Sequence, residues 1–146
     1  MAINQKEPLN IERKKMYHYI GKAIMYKSMV RQCVDTGVPA WVFDLLAEAN
    51  DSNEWDIMSY DGCTSVTDPV IPFPPCFIHD YIWRTGRASK DSERLFKKLL
   101  IMFGISPFKA WKWSTGTRLA WLFWFQFKKR EKRENTDLLN YAYGLL

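Results

Sequence analysis

His79 and Asp80 stand side by side between apolar neighbours, Cys76-Phe77-Ile78 before them and Tyr81-Ile82-Trp83 after. An imidazole and a carboxylate in such a run either carry chemistry or hold a polar junction together. A histidine takes a proton from water when an acid fixes its tautomer and steadies the imidazolium that results. Asp80 is poorly placed to be that acid. Adjacent residues on a helix point about 100° apart, so His79 and Asp80 do not share a face. The acid must come from another element.

The local sequence supplies one. Pro74 or Pro75 starts a short helix that runs to about Arg84. Thr85-Gly86-Arg87-Ala88 makes a turn, and Ser89 caps a second helix reaching about Phe103, with Asp91 and Ser92 in its first turn. Reflection through the turn midpoint, between Gly86 and Arg87, carries His79 onto Arg94. Glu93, one step away, is therefore the acid expected to face His79, with Asp91 the less central choice. The candidate catalytic residues are His79 as base and Glu93 as orienting acid. Asp80, turned aside, is left to accept hydrogen bonds from the preceding loop or to bind a hard cation with oxygens from Asp61-Gly62.

The flanking elements have to position this hairpin. Residues 1–54 read as an N-terminal helical extension: a polar arm to Asn10, then a helix from Ile11 to about Thr36. Met16, Tyr19, Ile20, Ala23, Ile24, Met29 and Val30 give that helix its apolar face, and Gly37 with Pro39 stops it. His18 on it reads as a surface or contact residue. Pro39 to Glu48 is a second helix carrying Trp41, Leu45 and Leu46. Residues 55–134 form the hairpin domain, which opens with an extended segment from Trp55 to Tyr60 and a turn at Asp61-Gly62. Thr64 to Pro75 holds four of the seven prolines, so it is an ordered loop, either wall of a site or strap over the core. A last helical region spans Ser106 to Phe127, with a break expected near Gly116. Its end, Leu119 to Phe127, is apolar on nearly every side and runs into the basic Lys128 to Arg133. That pairing suits a core helix with a charged C-terminus or a helix lying at a membrane surface. Residues 135–146 read as a docking tail. The fold class is mainly α: a small helical domain around an antiparallel hairpin, with a proline-rich ordered loop and room for a short β segment.

Composition bounds the rest. The chain has 146 residues, 47% of them hydrophobic, which suits one domain with a real core. Seven Trp exceed what a small core needs and point to an interface with protein or lipid. The net charge of +5 suits an anionic partner, nucleic acid through Lys128–Arg133 included. Nucleic-acid enzymology is disfavoured, since there is no phosphate-binding loop and no carboxylate cluster. Three cysteines, Cys33, Cys63 and Cys76, at long spacings predict reduced thiols and no zinc site. The opening residues lack the apolar stretch of a secretory signal, and no run of about 20 apolar residues predicts a spanning helix.

The order of motifs resembles DUF1353, a phage and prophage family of small proteins of unknown function. That family has an Asp-Gly segment, then His-Asp-Tyr, then Ser-Arg-x-x-Ala-Asp-x-x-Phe and a later helix rich in Trp and Arg. The corresponding residues are Asp61-Gly62-Cys63-Thr64-Ser65, His79-Asp80-Tyr81-Ile82-Trp83, and Ser89-Lys90 with Ser92-Glu93-Arg94-Leu95-Phe96. The resemblance covers roughly Tyr60 to Phe125 and leaves Met1 to Glu54 outside. A more distant resemblance is to secreted and parvoviral phospholipases A2, whose His-Asp-x-x-Tyr helix faces an acid on its antiparallel partner. It implies His79 as base, Glu93 as orienting acid, and Asp80 with Asp61 and Gly62 around calcium. The sequence departs from that pattern in having Glu at 93, Trp at 83 and a single glycine in the loop. Together the resemblances imply either a virion assembly protein that binds neighbouring subunits through aromatic and basic surfaces, or a calcium-dependent hydrolase acting on host-membrane lipid. Both imply synthesis in the host cytoplasm and residence in the virion.

Overall fold

The computed structural model of the protein describes residues 11–55, 57, 60 and 72–120. Five helices lie in them: α1 (Ile11–Thr36), α2 (Ala40–Asp51), α3 (Pro74–Arg84), α4 (Lys90–Met102) and α5 (Pro107–Ala120). No strand occurs among the described residues, so the chain is mainly helical.

The ends of the elements follow from their chemistry. Gly37, at φ 76°, closes α1 in the left-handed conformation. Its amide donates to the carbonyls of Cys33 (3.0 Å) and Val34 (3.1 Å), supplying partners to carbonyls the helix leaves open. Pro39 caps α2, and Pro74 and Pro75 open α3, where a missing N–H costs nothing. Between α3 and α4 the chain turns on Gly86, at φ 77°. Ser89 then caps α4 in a reciprocal box. Its hydroxyl accepts from the Ser92 amide (3.2 Å), and the Ser92 hydroxyl accepts from the Ser89 amide (2.8 Å).

α4 packs against both α3 and α5, while α2 lies against α1 and α3. Phe77 sits at the centre of the core, fully buried, with Trp55 at 5.1 Å and Tyr60 at 5.6 Å between ring centroids. Phe96, Leu99 and Leu100 contribute the buried stripe of α4. One cluster runs from Met25 of α1 through Leu46 of α2 to Ala110 of α5, so residues of the N-terminal extension and of the hairpin share a core. Two buried or half-buried side chains tie the loops down. Trp55 Nε1 donates to the Ala49 carbonyl (2.8 Å), and Gln32 Nε2 to the Pro72 carbonyl (2.8 Å), which fixes the entry to α3.

Four expectations need correction. The buried stripe of α1 is Met25, Met29 and Cys33; Met16 and Tyr19 are exposed. Apolar residues are spread around this helix, and the faces of α2 and α3 decide which of them are covered. Where the sequence predicts an extended segment from Trp55 to Tyr60, the Tyr60 amide donates to the Ile57 carbonyl (3.1 Å), a turn contact; residues 56, 58 and 59 lie outside the described residues. α5 runs through Gly116 without a break; a helix tolerates one glycine when its neighbours pack. Finally, Cys76 is disulfide-bonded, while Cys33 is a buried free thiol, pushed up to about 11 by burial. Sequence spacing carries little about such a bridge, which depends on the approach of two Cα atoms in space. The proline-rich residues 61–71, the aromatic and basic stretch 121–133 and the tail 135–146 lie outside the described residues.

Candidate active site

The hairpin brings His79 and Glu93 together. His79 Nε2 lies 3.0 Å from Glu93 Oε1 and 3.2 Å from Oε2. The imidazole is stacked on Phe96 of α4, with ring centroids 4.2 Å apart, and lies 5.4 Å from Trp83 on its own helix. Two aromatic contacts and a carboxylate therefore fix the ring's plane. The His79 side chain is 13% exposed and that of Glu93 4%.

Glu93 is the hub. Trp83 Nε1 donates to Oε1 at 2.7 Å, and the Thr117 hydroxyl of α5 donates to Oε2. The carbonyls of Trp113 and Ser114 also stand within reach of that hydroxyl, at 3.2 Å and 3.0 Å. A hydroxyl has one proton, so these are alternatives to the carboxylate. Three helices thus converge on one buried acid. Burial works against its ionised form. Hydrogen bonding from His79 and its charge, with the bonds from Thr117 and Trp83, outweighs burial and holds Glu93 below the usual carboxylate range.

This state decides the tautomer. An ionised carboxylate only accepts hydrogen bonds, so Nε2 carries the proton that points at Glu93. In the neutral ring Nδ1 then holds the lone pair. The neutral imidazole then has a carboxylate behind Nε2 and an acceptor at Nδ1, the pairing used by histidine bases whose free nitrogen reaches a water.

Asp80 faces elsewhere. Its Oδ2 lies 2.9 Å from Arg84 Nε, one helical turn on, and both side chains are buried. The two form an ion pair inside the protein. A calcium ion at this oxygen would have to displace a buried guanidinium. Asp61 and Gly62 lie outside the described residues. Asp91, the other acid considered for His79, sits on the surface 3.8 Å from Arg94.

Comparison with protein-family models, curated proteins and solved structures gave no match.

Three contributors to the site are absent from the sequence expectations. Trp83 lies four residues after His79, and Arg84 four after Asp80, so helical spacing alone places each beside its partner. Thr117 leaves no such trace: its meeting with Glu93 depends on how α5 docks.

Proposed function

We propose that the chain is a virion-borne hydrolase in which His79 activates water and Glu93 orients and steadies it, acting on an ester of host-membrane lipid. The observation that carries this reading is the contact of His79 Nε2 with both oxygens of a buried, ionised Glu93. A carboxylate held by donors from two other helices is a costly object to bury, and it leaves Nδ1 as the basic nitrogen. The resemblance to the phospholipase A2 hairpin and to the phage family DUF1353 supports the choice of lipid and of the virion.

The test is hydrolysis of phospholipid vesicles by wild type and His79→Ala, with calcium titrated and then chelated. Loss of a general base lowers the rate by about 10²–10⁴. Equal, background-level release from both proteins would sink the hydrolase. The calcium titration separately decides whether a metal contributes.

A second reading, a structural or assembly protein of the particle, is favoured by a different observation. Phe108, Trp111 and Leu119 of α5 are 69%, 52% and 49% exposed, more large apolar surface than one helix usually leaves in water. In that case the purified chain associates with other virion proteins. A well-behaved monomer that binds none of them counts against it.

A further inference from the structure

Beside Glu93, on its side toward α5, lies a cleft of about 150 Å³ lined by Lys90, Glu93, Arg94 and Lys97 of α4 and by Trp111, Ser114 and Thr115 of α5. Nothing in the proposed hydrolysis uses its cations. We propose that this cleft binds a phosphoryl oxyanion.

Residues 90, 94 and 97 recur at intervals of four and three, which aligns them along one face of α4. Three cations therefore line a single cleft against one carboxylate. The oxygens of that carboxylate already accept from His79, Trp83 and Thr117, and three cations against one carboxylate leave the cleft with an excess of positive charge. Arg94 has a weak partner in Asp91, 3.8 Å away with both side chains over four-fifths exposed, and such a pair yields readily to a better anion. The end of the cleft at Lys90 lies in the first turn of α4, where the helix dipole favours negative charge.

The chemistry of the lining selects the ligand. Arg presents a planar fork that matches two oxygens of a phosphate, and Lys adds point charges around it. The volume far exceeds the roughly 10–15 Å³ that one water needs, leaving space for a tetrahedral group. Trp111, half exposed, forms one wall, with Phe108 at 6.3 Å between ring centroids. An apolar wall beside a cationic one accepts a phosphoryl group that carries an organic body. A free phosphate and a lipid headgroup share the charged part of this recognition, and only the second also uses the aromatic wall.

Binding in the cleft requires no turnover at His79, and its test involves none. Binding of inorganic phosphate is measured by calorimetry on the full-length chain at fixed ionic strength, with chloride as the reference anion. In parallel, co-sedimentation is measured with phosphatidylglycerol vesicles and with vesicles of a neutral, phosphate-free glycolipid. The variants are Arg94→Ala and Lys97→Glu, both at solvent-accessible positions outside the dyad, with circular dichroism to confirm the fold. Each variant is expected to weaken binding about tenfold or more, the size of one lost charge-assisted contact. Phosphate binding lost in the variants identifies a free-phosphate source. Binding to phosphatidylglycerol alone, lost in the variants, identifies a headgroup. No binding in either arm, binding no stronger than to chloride or to the glycolipid, or variants that bind like wild type would overturn the proposal. If His79→Ala binds phosphate normally while wild type hydrolyses nothing, the cleft stands and the hydrolase falls.

Discussion

Two polar clusters flank the α3–α4 turn, each held by several side-chain hydrogen bonds, and they differ in burial. In one, His79, Trp83 and Thr117 all point at Glu93, whose side chain is 4% exposed. In the other, Arg87 reaches both oxygens of Glu54, at 3.1 Å and 3.0 Å, and donates to the Tyr81 hydroxyl at 2.9 Å. The Tyr81 hydroxyl in turn donates to Glu48 (3.3 Å). Arg87 and Glu54 are about half exposed, at 49% and 55%. The contrast lies in what surrounds the bonds rather than in the bonds themselves. Water competes for the exposed Arg87–Glu54 bonds of the second cluster and offers both of those partners a substitute. In the first, a lost partner leaves a group stranded in a low dielectric, where nothing replaces it.

Mutation separates the two clusters, and the largest effect is expected at the hub. Glu93→Leu removes the acceptor of three donors and should cost about 3–5 kcal/mol in chemical denaturation. A loss no greater than that of a surface substitution would show that the buried cluster behaves like the exposed one. Acid offers a reversible form of the same experiment. Glu93 has a lowered folded pKa, so its contribution is fully present above the unfolded value, near 4.5, and disappears as pH falls through the folded value below it. In Glu93→Gln this part of the acid dependence should vanish, which a series of melts from neutral pH downward would detect.

Arg84→Met comes next. It leaves the Asp80 carboxylate buried without its neighbouring cation, and a cost of about 3 kcal/mol is expected from unfolding curves. Calcium added to this variant sharpens the comparison further, since removal of the guanidinium opens the oxygen it covers. Recovery of stability with calcium would revive Asp80 as a ligand. Ser89→Ala, which breaks the capping box of α4, should cost about 1 kcal/mol. Smallest is Arg87→Ala, with a change in midpoint that shrinks further as salt is added. A large, salt-insensitive loss there would erase the distinction between the two clusters.

Much of the hairpin was legible in the sequence because its signals are local. Prolines at 74 and 75, glycine at 86 and serine at 89 each answer a backbone requirement within a few residues, and counting across the turn was enough to pair His79 with Glu93. The register of α1 was not legible for the opposite reason. Its apolar residues lie on several faces, and the partner that selects among them arrives from α2 and α3. The meeting of Thr117 with Glu93 likewise depends on a contact far apart in sequence. The cation cleft falls between these cases. The spacing of Lys90, Arg94 and Lys97 was visible, but the wall that turns a charged stripe into a cleft belongs to α5.

The convergence of α3, α4 and α5 on one carboxylate also governs how the molecule opens. A helix at the edge of a bundle ordinarily frays on its own, and its amides exchange faster than those of the centre. Here, for α5 to leave, Thr117 must release an ionised oxygen that stays behind in the protein interior. For α3 to leave, His79 and Trp83 must both do so. Either departure raises the free energy of the remainder, which couples the openings into one event. The buried acid thus makes three helices a single cooperative unit, and a ring held by such a unit keeps its aim as long as the fold survives.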